Sequence, residues 1–140
     1  MINLDKLTYA ACLENVASVA NSPNYQFVQA DICDREALER VFDTYQPEAV
    51  LHLAAASHVD RSIDGPADFI QTNIVGTFNS LYVSRNYWVS SGKPERFRFH
   101  HVSTDEVFGS LGETGQFRED TPYDPRSPYS ASKHLSLIHI

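Results

Sequence analysis

The 140-residue sequence is poor in the features that mark disulfide-rich, membrane and nucleic-acid-binding proteins. Its two cysteines, Cys12 and Cys33, are too few for a disulfide framework or a metal cluster, so we expect both to be reduced. No apolar run is long enough to cross a bilayer, and the first residues lack the pattern of a secretory signal. A formal net charge of −7 disfavours a surface that binds nucleic acid or an anionic membrane. We therefore expect a cytoplasmic, globular protein the size of one domain.

The sequence does contain predicted strands that alternate with predicted helices. Apolar and β-branched runs predict strands at 2–4, 25–30, 49–55 and 96–102, and apolar spacing predicts helices at 34–45, 66–91 and from 127 onward. The run at 49–55 is nearly continuous, as in a strand that is covered on both faces. In the long helix, Ile70, Ile74, Phe78 and Leu81 form the expected buried stripe. This order predicts an α/β fold with a Rossmann-like, doubly wound parallel sheet.

Polar residues follow each of the predicted strands. They are Asp5, Asp31, Ser57 and the segment 104–106. In parallel α/β folds, ligands bind beyond the carboxyl ends of the strands, so these residues are expected to share one crevice. Asp5 is typical of the acid that hydrogen-bonds a ribose 2′-hydroxyl and repels a 2′-phosphate, which favours NAD over NADP. An ordinary turn aspartate is the alternative for Asp5.

Residues 127–133 contain the pattern Tyr-x-x-x-Lys. In a helix, Tyr129 and Lys133 lie on one face, where the lysine ammonium would lower the pKa of the phenol. Tyr129 is then a candidate acid and base near neutral pH. Asp105 and Glu106 are two further proton carriers if a loop aims both inward, because an extended chain would point them to opposite faces. The alternatives are a solvated acidic turn and a tyrosine on a helix surface.

The histidines and cysteines show no metal-binding spacing. His52, His100 and His101 lie on predicted strands and are expected to be satisfied packing residues. We therefore predict no metal site.

The motifs in this sequence resemble the nucleotide-sugar branch of the extended short-chain dehydrogenase/reductase family and, within it, the dTDP-glucose 4,6-dehydratases. The similar stretches are 3–10, 30–32, 52–63, 72–77, 103–109 and 127–133. Tyr-x-x-x-Lys alone is weak support, whereas the pair Asp105 and Glu106 is specific, because related epimerases and decarboxylases generally lack it. The resemblance implies an NAD-dependent lyase that acts on a nucleotide sugar, dTDP-glucose. It also implies a homodimer packed through long helices such as 66–91.

The resemblance implies a role for each matching residue. Catalytic roles fall to Thr104, Asp105, Glu106, Tyr129 and Lys133. The adenosine ribose would be surrounded by Asp5, Lys6, Leu7 and Thr8, and the adenine contacted by Asp31 and Ile32. The rest of the cofactor would be lined by Leu53, Ala54, Ala55, Ser57, Thr72, Tyr129 and Lys133. The sugar would be contacted by Ser57 and Thr104.

Departures from the family pattern leave other functions open. Ala56 stands where the family usually has glutamate, Ala11 and Cys12 replace Gly-Asn, and Phe108 replaces tyrosine. The loop at 110–121 is also short for the family. The alternatives are another NAD-dependent nucleotide-sugar enzyme, such as an epimerase or decarboxylase, and a non-catalytic nucleotide-sugar-binding protein.

The resemblance also predicts where this chain is incomplete. The Gly-x-x-Gly-x-x-Gly loop that holds a pyrophosphate would precede Asp5, and the substrate domain would follow Lys133. We therefore expect residues 1–134 to be a partial NAD-binding domain, truncated at both ends, poorly stable and without dehydratase turnover. Residues 135–140 resemble the translation of a sequencing-adapter end rather than a continuing helix, and are expected to be a non-native tail.

Overall fold

A computed structural model describes residues 1–137, in which short parallel strands alternate with helices. The strands are β1 (Ile2–Asp5), β2 (Gln26–Gln29), β3 (Ala49–His52) and β4 (Arg98–His101). The helices are α1 (Arg35–Tyr45), α2 (Val59–Asp64), α3 (Pro66–Phe69), α4 (Thr77–Ser90) and α5 (Pro128–Leu137). A π-helical segment covers Ile70–Gly76, and 3₁₀ turns cover Leu13–Val16 and Asp105–Phe108. No helix in this part of the chain is long and apolar enough to cross a membrane.

The strands pair in parallel, as their alternation with helices predicts. β1 lies beside β2 with Ile2 opposite Gln26, and β3 lies beside β4 with Ala49 opposite Arg98. Parallel strands need a long crossover, and the helices from α2 to α4 supply it between β3 and β4. Within residues 1–137 the two pairs share no strand hydrogen bonds, so the predicted sheet is present as two two-stranded ladders. The α/β class is confirmed.

The core lies where α1 packs against α4. It comprises Ile32, Leu38, Phe42 and Val83. Helix α1 begins after Asp34, whose carboxylate accepts a hydrogen bond from Ala37 N at 3.0 Å, and this confirms the predicted helix cap. Gly76 allows the π-helical segment to approach this core, because a Cβ at Gly76 would lie 2.5 Å from Ile32 Cδ1.

The long predicted helix is present as continuous helical structure from 66 to 90, but its predicted buried stripe was wrong at Ile70 and Phe78, while Ile74 and Leu81 are half-buried. Ile70 is 54% exposed and Phe78 is also exposed, whereas Asn73 and Thr77 are buried. The π-helical segment explains the difference, because its wider turn holds more residues than the 3.6-residue period that defines an α-helical stripe.

Strand β3 is not covered on both faces, contrary to the prediction. His52 is buried, but Leu51 is 61% exposed and Leu53, just after the strand, is 62% exposed. Side chains alternate along a strand, so one face of β3 is buried and the other is open in residues 1–137.

Helix α5 continues beyond residue 134, so the prediction that the helical pattern stops there was wrong. Ser136 is buried and its hydroxyl lies 3.3 Å from His101 Nε2, and this contact holds the last turn of α5 against β4. Residues 138–140 of the predicted non-native tail lie outside the described residues, and the origin of the tail stays a prediction.

Candidate functional site

The residues predicted to surround the adenosine ribose form a tight turn at the end of β1. The Asp5 carboxylate accepts a hydrogen bond from Leu7 N at 2.7 Å, and Leu7 has a left-handed backbone with a φ of 59°. Lys6 Nζ lies 3.0 Å from Asp31 Oδ2, and this ion pair joins the loops that follow β1 and β2. Thr8 is exposed in the same turn. The structure therefore brings the predicted ribose and adenine residues together.

Asp31 and Ile32 follow β2 but differ in what they present to a ligand. Burial raises the pKa of Asp31, but hydrogen bonds from Cys33 N and Lys6 outweigh burial and hold the pKa below its usual value. Asp31 is therefore ionised at neutral pH. The Ile32 side chain is only 6% exposed and packs in the core, which leaves its backbone for the predicted adenine contact.

The loop after β3 is fixed by a buried asparagine that the sequence patterns did not single out. Asn73 Oδ1 accepts a hydrogen bond from Ala56 N at 2.8 Å, and Asn73 Nδ2 donates to Ala56 O at 3.0 Å and to Ser132 Oγ at 2.8 Å. Asn73 thus joins helix α5 to the loop that holds Leu53, Ala54, Ala55 and Ser57. The half-buried Thr72 precedes it in the π-helical segment. The signal available in the sequence was the place of Asn73 in the stretch 72–77, one of those that resemble the family.

Replacing Asn73 by alanine is expected to lower the free energy of unfolding by about 2 kcal/mol, because it leaves buried polar groups unpaired. Urea unfolding of the chain measures this loss. Asn21→Ala, which removes an exposed amide, is the matched control and should change stability little. Equal losses in the two variants would contradict the assigned role of Asn73.

A second contact missed from the sequence joins the β1 turn to α2. Tyr9 Oη lies 3.0 Å from His58 Nδ1, and the Arg61 guanidinium carbon lies 3.7 Å from the centre of the Tyr9 ring. A cation over an aromatic face is attracted by the ring quadrupole. The loops after β1 and β3 are therefore linked across the crevice at the strand ends.

The acidic pair lies in a 3₁₀ turn, Asp105–Phe108, which we call the acidic turn. Thr104 begins the turn, and its hydroxyl accepts a hydrogen bond from Glu106 N at 3.3 Å. A 3₁₀ turn rotates successive side chains by about 120°, so neighbouring residues do not point in opposite directions as they would in a strand. Asp105 and Glu106 are both exposed, and both act electrostatically on Tyr129.

Tyr129 lies beside the acidic turn, but its pKa differs from the prediction. Burial raises the pKa of Tyr129 above its usual value; a hydrogen bond with Thr104 opposes this, and the charges of Glu106 and Asp105 add to it. The expectation that Lys133 lowers this pKa was wrong for the chain alone. Lys133 Nζ instead donates to Val102 O at 2.7 Å, and burial lowers the pKa of Lys133.

Two histidines, the buried His52 and the half-buried His101, lie next to each other and close to Lys133. His52 Nε2 lies 2.9 Å from Thr77 Oγ1, His101 Nε2 lies 3.3 Å from Ser136 Oγ, and the two rings are 5.2 Å apart. Burial lowers the pKa of each to about 4, and for both the charge of Lys133 contributes. His52 is a satisfied packing residue, as predicted.

His101 is only partly satisfied, because its Nδ1 is buried and has no hydrogen-bond partner within residues 1–137. His100, which precedes His101 in β4, has an exposed side chain. In the same residues, no group of three or more His, Cys, Asp or Glu is arranged to hold a metal ion.

Comparison with known proteins gives consistent matches over nearly the whole chain. The family model described as GDP-mannose 4,6 dehydratase matches residues 1–138. A dTDP-glucose 4,6-dehydratase of Neisseria meningitidis serogroup B is 60% identical over 139 residues, which cover 97% of this chain and 39% of that protein. Its counterpart from Haemophilus influenzae is 56% identical, over 97% of this chain and 41% of that protein.

Solved structures match the fold as well. The dTDP-glucose 4,6-dehydratase of Bacillus anthracis, in complex with NAD, has a TM-score of 0.82 and 39% identity, over 98% of this chain and 39% of that one. A Streptomyces venezuelae dTDP-glucose 4,6-dehydratase with NAD bound has a TM-score of 0.85 and 42% identity, over 99% of this chain and 40% of that one. The chain thus spans about two fifths of the length of these relatives. The resemblance inferred from the motifs is confirmed, and this chain belongs to the GDP-mannose 4,6 dehydratase family.

Proposed function

We propose that this chain is the NAD-binding part of a dTDP-glucose 4,6-dehydratase, which converts dTDP-glucose to dTDP-4-keto-6-deoxyglucose and water. The observation that carries the proposal is the group formed by Thr104, Tyr129 and the acidic turn. Thr104, Asp105 and Glu106 all lie close enough to the Tyr129 phenol to shift its pKa, Thr104 downward and the two carboxylates upward. Oxidation of an alcohol needs a base at its hydroxyl, and loss of water needs an acid and a base at neighbouring atoms. This group has the residue types for both.

The residues at the strand ends fit a dinucleotide. Asp5 stands at the end of β1, where a carboxylate can accept from a ribose hydroxyl, and the exposed Leu53 offers apolar surface after β3. NAD is present in the solved relatives from Bacillus anthracis and Streptomyces venezuelae. When bound, NAD supplies a positive charge that favours ionised Tyr129, a hydride acceptor for C4 and a hydride donor for C6. Asp5, Lys6, Leu7, Thr8, Asp31, Ile32, Leu53, Ala54, Ala55, Ser57, Thr72, Tyr129 and Lys133 would hold it.

The side chains of this site divide the proton transfers among them. Tyr129 takes the proton of the sugar 4-hydroxyl while Thr104 holds that oxygen. The resulting C4 ketone acidifies C5, and Glu106 takes the C5 proton. The C6–O bond then breaks, and protonated Asp105 gives its proton to the leaving hydroxyl, so that water departs.

The cycle closes with the same groups. Glu106 returns its proton to C5 as C6 is reduced, and the site is reset when Tyr129 loses its proton and Asp105 regains one. Lys133 anchors α5 to the end of β4 through Val102 O and so holds Tyr129 beside the acidic turn. Ser57, which follows β3 and is exposed, would contact the sugar.

A chimeric enzyme tests this proposal. In it, residues 1–137 replace the matching segment of the Neisseria meningitidis relative, to which the chain is 60% identical. We expect the chimera to convert dTDP-glucose to the keto sugar, which is detected by its absorbance in alkali. The unmodified relative is the positive control, and the chimera with Tyr129→Phe should be inactive.

Other outcomes would favour the other functions. A chimera that folds and returns an epimerised sugar from dTDP-glucose, or a decarboxylated sugar when it is given a nucleotide-linked uronic acid, would contradict the dehydratase proposal and favour an epimerase or decarboxylase. A chimera that binds NAD and the sugar nucleotide but leaves the sugar unchanged would favour a non-catalytic binding protein. If the chimera binds both ligands without turnover, Ala56 is the first residue to test, because it lies in the loop that Asn73 holds.

We also propose that the whole protein is a homodimer whose subunits pack through α4. This helix exposes Phe78, Tyr82 and Val89 although each has a large apolar side chain. Exposed apolar side chains on one helix are typical of a helix that packs against a partner. Sedimentation velocity of the chimera and of its Tyr82→Glu variant tests this, since the variant should be monomeric if α4 forms the interface.

A further inference from the structure

The acidic turn has little structure of its own to hold its carboxylates in place. It is a 3₁₀ turn of four residues, Asp105–Phe108, and such turns have poorer hydrogen-bond geometry than α-helices. The hydrogen bonds at its two ends include Glu106 N to Thr104 Oγ1 at 3.3 Å and Gly109 N to Glu106 O at 3.2 Å. Both are at the long end of the usual range. A reaction that needs two carboxylates at fixed places therefore needs further support for this turn.

A row of rings in contact supplies that support, and we call it the aromatic column. It comprises Phe117, Phe108, Tyr123 and His134. The rings of Phe108 and Tyr123 are stacked, with centres 5.3 Å apart and planes 13° apart, and Tyr123 lies 4.3 Å from the His134 ring. Phe108 ends the acidic turn, while His134 follows Lys133 in α5. The column therefore connects the two parts of the site through Tyr123.

The backbone around Tyr123 is tied to the acidic turn as well. Asp124 N donates to Val107 O at 3.0 Å, and Val107 is fully buried. Gly109, with a φ of 88°, passes so close that a Cβ there would lie 2.8 Å from Asp124 O. The loop that follows Gly109 thus returns to lie against the acidic turn, with Tyr123 as its contact to both the turn and α5.

We propose that Tyr123 is a positioning residue for the elimination step: its ring, held between Phe108 and His134, fixes the acidic turn relative to Tyr129. The proposal rests on the proposed dehydratase function. Tyr123 is 50% exposed, so a hydrophobic core does not explain its place. Small displacements of reacting groups are costly, because a misplacement of about 1 Å can slow a reaction by about 100-fold. Loss of the Tyr123 ring should therefore affect the carboxylates of the acidic turn more than Tyr129, which α5 holds independently.

Two substitutions in the chimera separate positioning from general stability. With Tyr123→Leu, we expect elimination to slow by about 10-fold or more, while C4 oxidation, seen as NADH formed in a single turnover, changes by less than about 3-fold. Tyr123→Phe keeps the stacked ring and should restore both rates. Tyr45→Leu, which removes an exposed tyrosine of α1, is the matched control and should change neither rate. Equal slowing of both steps by Tyr123→Leu, or no slowing of elimination, would overturn the proposal.

Hydrogen exchange in the 140-residue chain tests the same inference without activity. Tyr123→Leu should speed exchange at the Asp124 and Gly109 amides by about 10-fold or more, while the amides of α1 keep their rates. Unchanged exchange at both amides would overturn the positioning role even if the chimera is active. If the unsubstituted chimera is inactive, the proposed function fails, and the exchange rates still decide whether Tyr123 holds the acidic turn.

Discussion

Replacing Glu106 by glutamine in the chimera should slow elimination by about 10²- to 10⁴-fold and leave C4 oxidation nearly unchanged. The reason is that Glu106 is assigned to the C5 proton, whereas the 4-hydroxyl proton goes to Tyr129. Glutamine has the size of glutamate but no basic oxygen, so the acidic turn keeps its shape. Single-turnover mixing of the variant with dTDP-glucose measures the two steps separately, as NADH formation and as keto sugar.

The matched control is Glu119→Gln, which removes an exposed carboxylate from the loop after the acidic turn. It changes the net charge by the same amount and should leave both steps unaffected.

Asp105→Asn should also block elimination, because asparagine cannot give the proton that the leaving hydroxyl needs. Elimination at the normal rate in Glu106→Gln would refute the assignment of the base. Loss of C4 oxidation in the same variant would mean that Glu106 acts on the first step or holds Tyr129.

The second large effect is a loss of stability in mild acid, caused by the buried histidines. His52 and His101 have a pKa of about 4 in the folded chain, against an ordinary value of 6.5. Between these values the unfolded state binds more protons than the folded state, so the free energy of unfolding falls as the pH falls. The contribution of the neutral histidines to the free energy of unfolding is complete above about pH 6.5 and is lost by about pH 4. For His52 this is on the order of 3 kcal/mol, since one pKa unit corresponds to about 1.4 kcal/mol.

Urea unfolding of the chain at a series of pH values measures this slope. His52→Phe should make the dependence shallower in that window, because phenylalanine cannot take up a proton in the unfolded state. His58→Gln is the control, since His58 lies at the start of α2, away from the buried pair, and the slope should remain. The assignment fails if the stability of the original chain is constant across the window, or if His52→Phe leaves the slope as it was.

The parts of the fold that depend on local sequence were predicted well. Asp34 caps α1 through a hydrogen bond to a residue three positions later, and the apolar face with Leu38 and Phe42 is buried as its spacing indicates. Both features involve neighbours within one helix, so the sequence specifies them directly. The predicted strands are present too, although three are shorter than predicted and β1 is one residue longer, because pairing, not propensity alone, sets where a strand ends.

Predictions that assumed a regular period or a particular neighbour were less successful. Ile70 and Phe78 are exposed because a π-helical segment changes the period of the long helix. Leu51 is exposed although its strand is apolar, because within residues 1–137 one face of β3 is open. Lys133 does not lower the pKa of Tyr129 in the chain alone. A spacing of four residues brings two side chains to one face of a helix, but burial and the other charges nearby determine the pKa.

The sequence by itself determined the α/β class, the order of the elements and the chemical types gathered at the strand ends. It predicted Asp105, Glu106, Tyr129 and Lys133 as site residues because they lie in short motifs whose spacing is visible in the chain. Only the tertiary structure showed that Thr104 lies beside Tyr129, that Asn73 joins the loop after β3 to α5, and that Tyr123 connects the acidic turn to that helix. These contacts join residues up to 59 positions apart. Packing between elements sets such distances, and no local period in the sequence encodes them.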